Sequence, residues 1–141
     1  MCRECQDRIL AATVSQLNTL EQGYRVADAL LEELQRHGYS EVAVFAVRLA
    51  IEEALNNAIR HGNEMDPEKT AELVYEVTDD QVDIRITDEG PGFDFKDVPD
   101  PTLDENLDKP TGRGLMLIRA YMDTVEFNEK GNELHMVKFN K

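Results

Sequence analysis

Apolar residues recur at steps of three and four from Leu17 to Ile59, then at every second position from Leu73 to Ile86. A chain that changes period in this way must pair amphipathic helices with strands that bury one face. Leu17, Leu20, Tyr24, Ala27, Leu31 and Leu34 form the first stripe, which predicts a helix over 16–37 with Ser15 as N-cap and Gly38 as its stop. Val44, Val47, Ile51, Leu55 and Ile59 form the second, predicting a helix over 41–62 that starts at Ser40 and ends at Gly62. Phe45, Leu49 and several alanines spread apolar surface around this helix, so it is expected to be largely buried. Residues 7–14, DRILAATV, read as a short leading strand, and two antiparallel strands flank the Asp79-Asp80 turn. GRGLMLIRAYMD predicts a third helix over 113–122, and TVEFNE with ELHMVKF predicts a closing hairpin around Lys130-Gly131-Asn132. The order β-α-α-β-β-loop-α-β-β predicts an α/β (α+β) two-layer sandwich, with helices on one face of a mostly antiparallel, mixed sheet. A single domain spanning 1–141 is expected.

Charge narrows the function classes. The 141 residues carry 29 acids against 15 bases, a net −14, while 41% of them are hydrophobic, enough for one core. A net anion is repelled by nucleic acid and by anionic membranes, so neither is expected as a direct partner. No apolar run reaches the roughly 18–20 residues that cross a bilayer, and the opening MCRECQDR is polar, so a cytoplasmic protein is expected. Cys2 and Cys5 form a C-x-x-C without a second pair, and His37, His61 and His135 are scattered, which does not make a zinc site. Residues 64–83 and 88–109 together carry 13 of the 14 net negative charges. The second stretch, FDFKDVPDPTLDENLDKPT, has three prolines and no period, and reads as a long functional loop.

Three segments carry candidate chemistry. In EEALNNAIRHGN, Glu53, Asn57 and His61 stand four apart and line one helical face, with Glu53 turned away from the apolar stripe. In ITDEGPGFD, Asp88 ends a strand and Gly90-Pro91-Gly92 breaks it, leaving an acceptor-only carboxylate where a flat ligand can approach. In KPTGRGLMLI, Gly112-Arg113-Gly114 opens a helix, where free backbone N–H groups and Arg113 suit an anion. Each segment alone also fits a bland reading: a solvated polar face, a turn, a flexible helix start.

Taken in order, E-x-x-x-N-A-x-x-H-G, D-E-G-x-G-F and T-G-x-G-L-x-L with a following M-D resemble the N, G1 and G2 boxes of the GHKL (Bergerat-fold) ATP-binding superfamily. The length resembles the RsbW/SpoIIAB-like anti-sigma factor serine kinases within it, and the likeness covers about residues 7–139. The resemblance implies ATP and Mg²⁺ as cofactors, with Asp88 accepting from the adenine amino group and Gly90 and Gly92 beside the ring. It implies Asn57 as the Mg²⁺ ligand, Glu53 as general base, Gly112, Arg113 and Gly114 as the phosphate cradle and Thr111 among the ATP-binding residues, under an ATP lid over 93–111. His61 is counted with the ATP-binding residues, its role open between the phosphate end of the pocket and a helix C-terminal contact. As partners it implies a STAS-domain anti-anti-sigma substrate and a sigma factor, exchanged according to phosphorylation, and a homodimer. The chain departs from some family kinases at Pro110, where they carry a basic residue, which keeps open a non-catalytic, ATP-responsive binding switch. A complete sensor histidine kinase and the hydrolytic, dimer-clamping members are not expected at this length.

Overall fold

The computed structural model describes residues 13–64, 66–90 and 110–140. The elements are β1 (Thr13–Leu17), α1 (Leu20–Arg36), α2 (Glu41–Leu55), a π-helical segment (Asn56–Gly62), β2 (Ala71–Val77), β3 (Gln81–Thr87), α3 (Pro110–Tyr121), β4 (Thr124–Phe127) and β5 (Glu133–Phe139). Alternation decides which face of each strand is buried. Ser15, Leu73, Ile86, Leu134 and Phe127 stand in one cross-strand row, and Tyr75, Ile84, Met136 and Val125 in the next. Apart from Ser15, these rows join the helices in a core with Leu30, Leu34, Val47, Ile51, Leu55, Ile59 and Ile118. The result is the expected two-layer sandwich of helices on an open sheet.

Several details differ from the sequence reading. The sheet, in the order β1-β2-β3-β5-β4, is wholly antiparallel among the described residues rather than mixed. β4 does run in the same direction as β3, but β5 folds back between them and pairs with both. Ser15 is not a helix cap: it lies within β1 opposite Leu73, and the helix begins four residues later. Thr19 caps it instead, its hydroxyl accepting from Gln22 N–H while the Gln22 side chain accepts from Thr19 N–H, a reciprocal capping box. The leading strand is thus shifted toward 13–17, and residues 7–12 of its predicted span lie outside the described residues.

The first stripe is also rotated. Tyr24 is exposed, and Leu30 takes its place inside, because α1 approaches α2 through Gly23, where a methyl group would lie 2.9 Å from Leu55 Cδ1. On α2 the predicted stripe is buried as expected and Ser40 caps the helix, accepting from Ala43 N–H. Phe45, however, is 54% exposed and meets Tyr121 of α3 edge to face, so this helix buries its alanine sides and leaves an aromatic outside.

Candidate active site

The second helix changes winding where its functional residues begin. Asn56 donates from its side chain to Glu52 O, while its N–H is shared between Glu52 O and Glu53 O. A side chain competing for that carbonyl disturbs the i−4 ladder, and the chain continues as a π-helix to Gly62, closed by Asn63 N–H donating to Ala58 O at 2.8 Å. The wider winding changes the direction in which each residue after Leu55 projects, which 3.6-residue periodicity does not predict. The helix does run to Gly62 as expected; only its winding differs.

Glu53 and Asn57 meet the third helix at one glycine. A methyl group on Gly114 would lie 2.9 Å from Glu53 Oε2 and 3.5 and 3.6 Å from the Asn57 carboxamide atoms. Both side chains therefore face the α3 backbone, and a side chain at 114 would have to displace the Glu53 carboxylate. α3 begins at Pro110, three residues earlier than predicted, so Gly112 as well as Gly114 lies within its first turns. Proline at a first helical position gives up an N–H that has no intrahelical partner there, and the N–H groups of 111–113 likewise have no acceptor within the helix.

Asp88 lies at the other end of the π segment. A methyl group on Gly62 would come within 2.5–2.6 Å of the Asp88 carboxyl atoms, and one on Gly90 would strike the Gly62 carbonyl. The carboxylate is thus packed against bare backbone, with Gly90 N–H donating to Asp88 Oδ1 at 2.7 Å. Among the described residues no donor reaches Oδ2. Burial pushes the Asp88 carboxyl above the usual carboxylate range, opposed by the Gly90 hydrogen bond and the positive charges of Lys130 and Lys69. Gly62→Ala is accordingly expected to leave the fold intact, since a carboxylate can swing aside, yet to weaken ATP binding several-fold in a calorimetric titration. Unchanged affinity would remove Asp88 from the ligand's reach.

The residues expected to act together divide into two described groups, Glu53, Asn57 and Gly114 on one side and Asp88, Gly90 and Gly62 on the other, joined by the π segment. Gly92 and lid residues 93–109 lie outside the described residues, as do the side chains of His61, Thr111 and Arg113, Cys2 and Cys5. Sequence reasoning passed over Asn63 and Asn132. Asn63 accepts from Glu89 N–H at 2.8 Å, and Asn132 donates to Asp88 O at 2.9 Å. Their signal was slight: Asn63 follows the helix-ending glycine, and Asn132 sits in a turn where asparagine is ordinary.

Among the described residues no cluster of three His, Cys, Asp or Glu side chains could hold a metal on its own. The donor set nevertheless fits a Mg²⁺ held by one carboxamide oxygen with the remaining ligands from phosphate and water, because Mg²⁺ keeps most of its shell from substrate and solvent. Also among the described residues, no helix is long and apolar enough to cross a membrane.

Residues 17–138 match the family model of the histidine kinase-like ATPase domain. The chain is 32% identical over 114 residues to serine-protein kinase RsbW of Listeria monocytogenes serovar 1/2a, covering 74% of this chain and 71% of that protein. It is 34% identical over 102 residues to serine-protein kinase RsbW of Staphylococcus epidermidis, and 28% over 101 residues to that of Oceanobacillus iheyensis. In the last two alignments the match covers 67% of this chain but 64% of the relative, so the chain spans just under two thirds of their length. The chain belongs to the histidine kinase-like (GHKL) ATPase family and, within it, groups with RsbW-like proteins.

Proposed function

We propose that the protein is an ATP-dependent serine/threonine protein kinase that phosphorylates a STAS-domain anti-anti-sigma partner and, in alternation, holds a sigma factor. The observation that carries this reading is the meeting of Glu53 Oε2 and the Asn57 carboxamide at Gly114, in a family of ATPase domains whose relatives here are named serine-protein kinases. Asp88 binds the base: Oδ1 is already engaged by Gly90 N–H, so Oδ2 is left to accept from the adenine amino group. Asn57 would hold Mg²⁺ through its carboxamide oxygen, and the ion would supply positive charge against the triphosphate beside an acidic chain. The N–H groups that open α3 receive phosphate oxygens, and Glu53 Oε2 lies against Gly114 of the same helix. Glu53 Oε2 takes the proton of the incoming hydroxyl as its oxygen attacks the γ-phosphorus, and ADP leaves.

The test is a calorimetric titration with ATP, with and without Mg²⁺, followed by phosphoryl transfer to a STAS-domain protein encoded beside this one. Mg²⁺-dependent binding and a phosphoserine or phosphothreonine on the partner are expected. Binding with no transfer over long incubation would favour the ATP-responsive switch, and no binding at millimolar ATP would reject both.

A further inference from the structure

The peptide unit that follows Asp88 is held from both sides by side-chain amides of two distant elements. Its carbonyl, Asp88 O, accepts from Asn132 Nδ2 at 2.9 Å, and its N–H, that of Glu89, donates to Asn63 Oδ1 at 2.8 Å. In a trans peptide these two groups point in opposite directions, so bonds at both ends fix the rotation of the plane, and with it ψ of Asp88. Asp88 N–H also donates to Asn132 O at 2.9 Å, which restrains the preceding peptide. Only the side-chain torsions of Asp88 remain, and the Gly90 N–H on Oδ1 restrains those.

Neither amide is free to drift. Asn132 is held in its turn by Asn128, which donates from Nδ2 to Asn132 Oδ1 at 2.8 Å and accepts at Oδ1 from the N–H groups of Gly131, Asn132 and Glu133. That turn passes through Gly131 at φ +81°, a backbone shape that favours glycine. Asn63 is 2% exposed, the one polar residue among the described buried side chains. An apolar residue would fill that space without the cost of burying a carboxamide, so the hydrogen bond to Glu89 is the gain that offsets it.

We propose that Asn63 and Asn132 are positioning residues, a pair of carboxamides that aim the Asp88 carboxylate and so set selectivity for purines bearing a 6-amino group. The proposal rests on the reading of Asp88 as the adenine acceptor. Its test compares ATP with purine riboside 5′-triphosphate, which lacks the 6-amino group, by calorimetry on the full chain, together with thermal unfolding. Unaltered protein is expected to prefer ATP about tenfold. Asn63→Ala and Asn132→Ala are each expected to weaken ATP about fivefold while changing the affinity for the analogue less than twofold. Should buried Asn63→Ala fail to fold, half-buried Asn132→Ala carries the comparison. Equal weakening of both triphosphates, or full retention of the ATP preference, overturns the clamp and leaves the adenine reading standing. An unaltered protein that does not distinguish the two overturns the adenine reading, and the clamp with it.

Discussion

Glu53→Gln is expected to slow phosphoryl transfer by about 10²- to 10⁴-fold, the range typical of losing a positioned general base. Glutamine keeps the length and shape of the side chain, so residue 53 still lies against Gly114 and the fold is not disturbed. What disappears is the acceptor for the hydroxyl proton. The substitution also removes one negative charge from the neighbourhood of the triphosphate, and by Coulomb's law that favours binding of the anion. ATP affinity should therefore hold or rise while turnover falls, a split that weakened binding cannot imitate. Single-turnover transfer from labelled ATP, beside a binding titration of the same variant, separates the two quantities. Transfer that stays within a few-fold of normal would remove Glu53 from the chemistry, whatever the affinity.

The layers of the fold were legible because they rest on period, and period survives local error. Val44, Val47, Ile51, Leu55 and Ile59 are buried as their spacing requires, and so are Leu73, Tyr75, Val82, Ile84 and Ile86. Position along the chain was less legible where two signals compete. Ser15 and Thr19 are both good caps, and the choice fell to Thr19 because Gln22 completes the reciprocal box while Ser15 is drawn into pairing with β2. The site was legible as residue types in order, through the box resemblance, but its geometry was not. Nothing in a 3.6-residue repeat announces the π segment, which begins where an asparagine side chain reaches a carbonyl four residues back. The hold on the Asp88–Glu89 peptide was hidden for a related reason: Asn63 and Asn132 come from elements 69 positions apart, and each on its own is an unremarkable turn residue.

Asp88→Asn is expected to cost about 10- to 100-fold in ATP affinity, as for a lost hydrogen bond to a charged group, and to make the protein itself more stable. The two effects have one cause. Burial raises the Asp88 carboxyl in the folded state above its ordinary value of 3.8, so the folded protein holds that proton more tightly than the unfolded chain does. The contribution of Asp88 to stability is then fully present below the unfolded pKa and is lost as pH rises toward the folded one. At neutral pH the ionised carboxylate is a cost that the fold carries for the ligand. Asparagine removes the charge but can still accept from Gly90 N–H, so the melting temperature of the ligand-free protein should rise at pH 7. Near pH 3 the gain should shrink, because Asp88 is protonated there in both states. ATP binding runs the other way, since only the ionised group presents two acceptors. Affinity for the unaltered protein should fall as pH drops through the raised pKa, earlier than for an ordinary carboxylate, and this step should be missing in Asp88→Asn. Melting curves at pH 7 and pH 3, with ATP titrations over the same range, read both signs at once. A variant that is destabilised at pH 7 and still binds ATP tightly would mean that the carboxylate serves the fold and not the base.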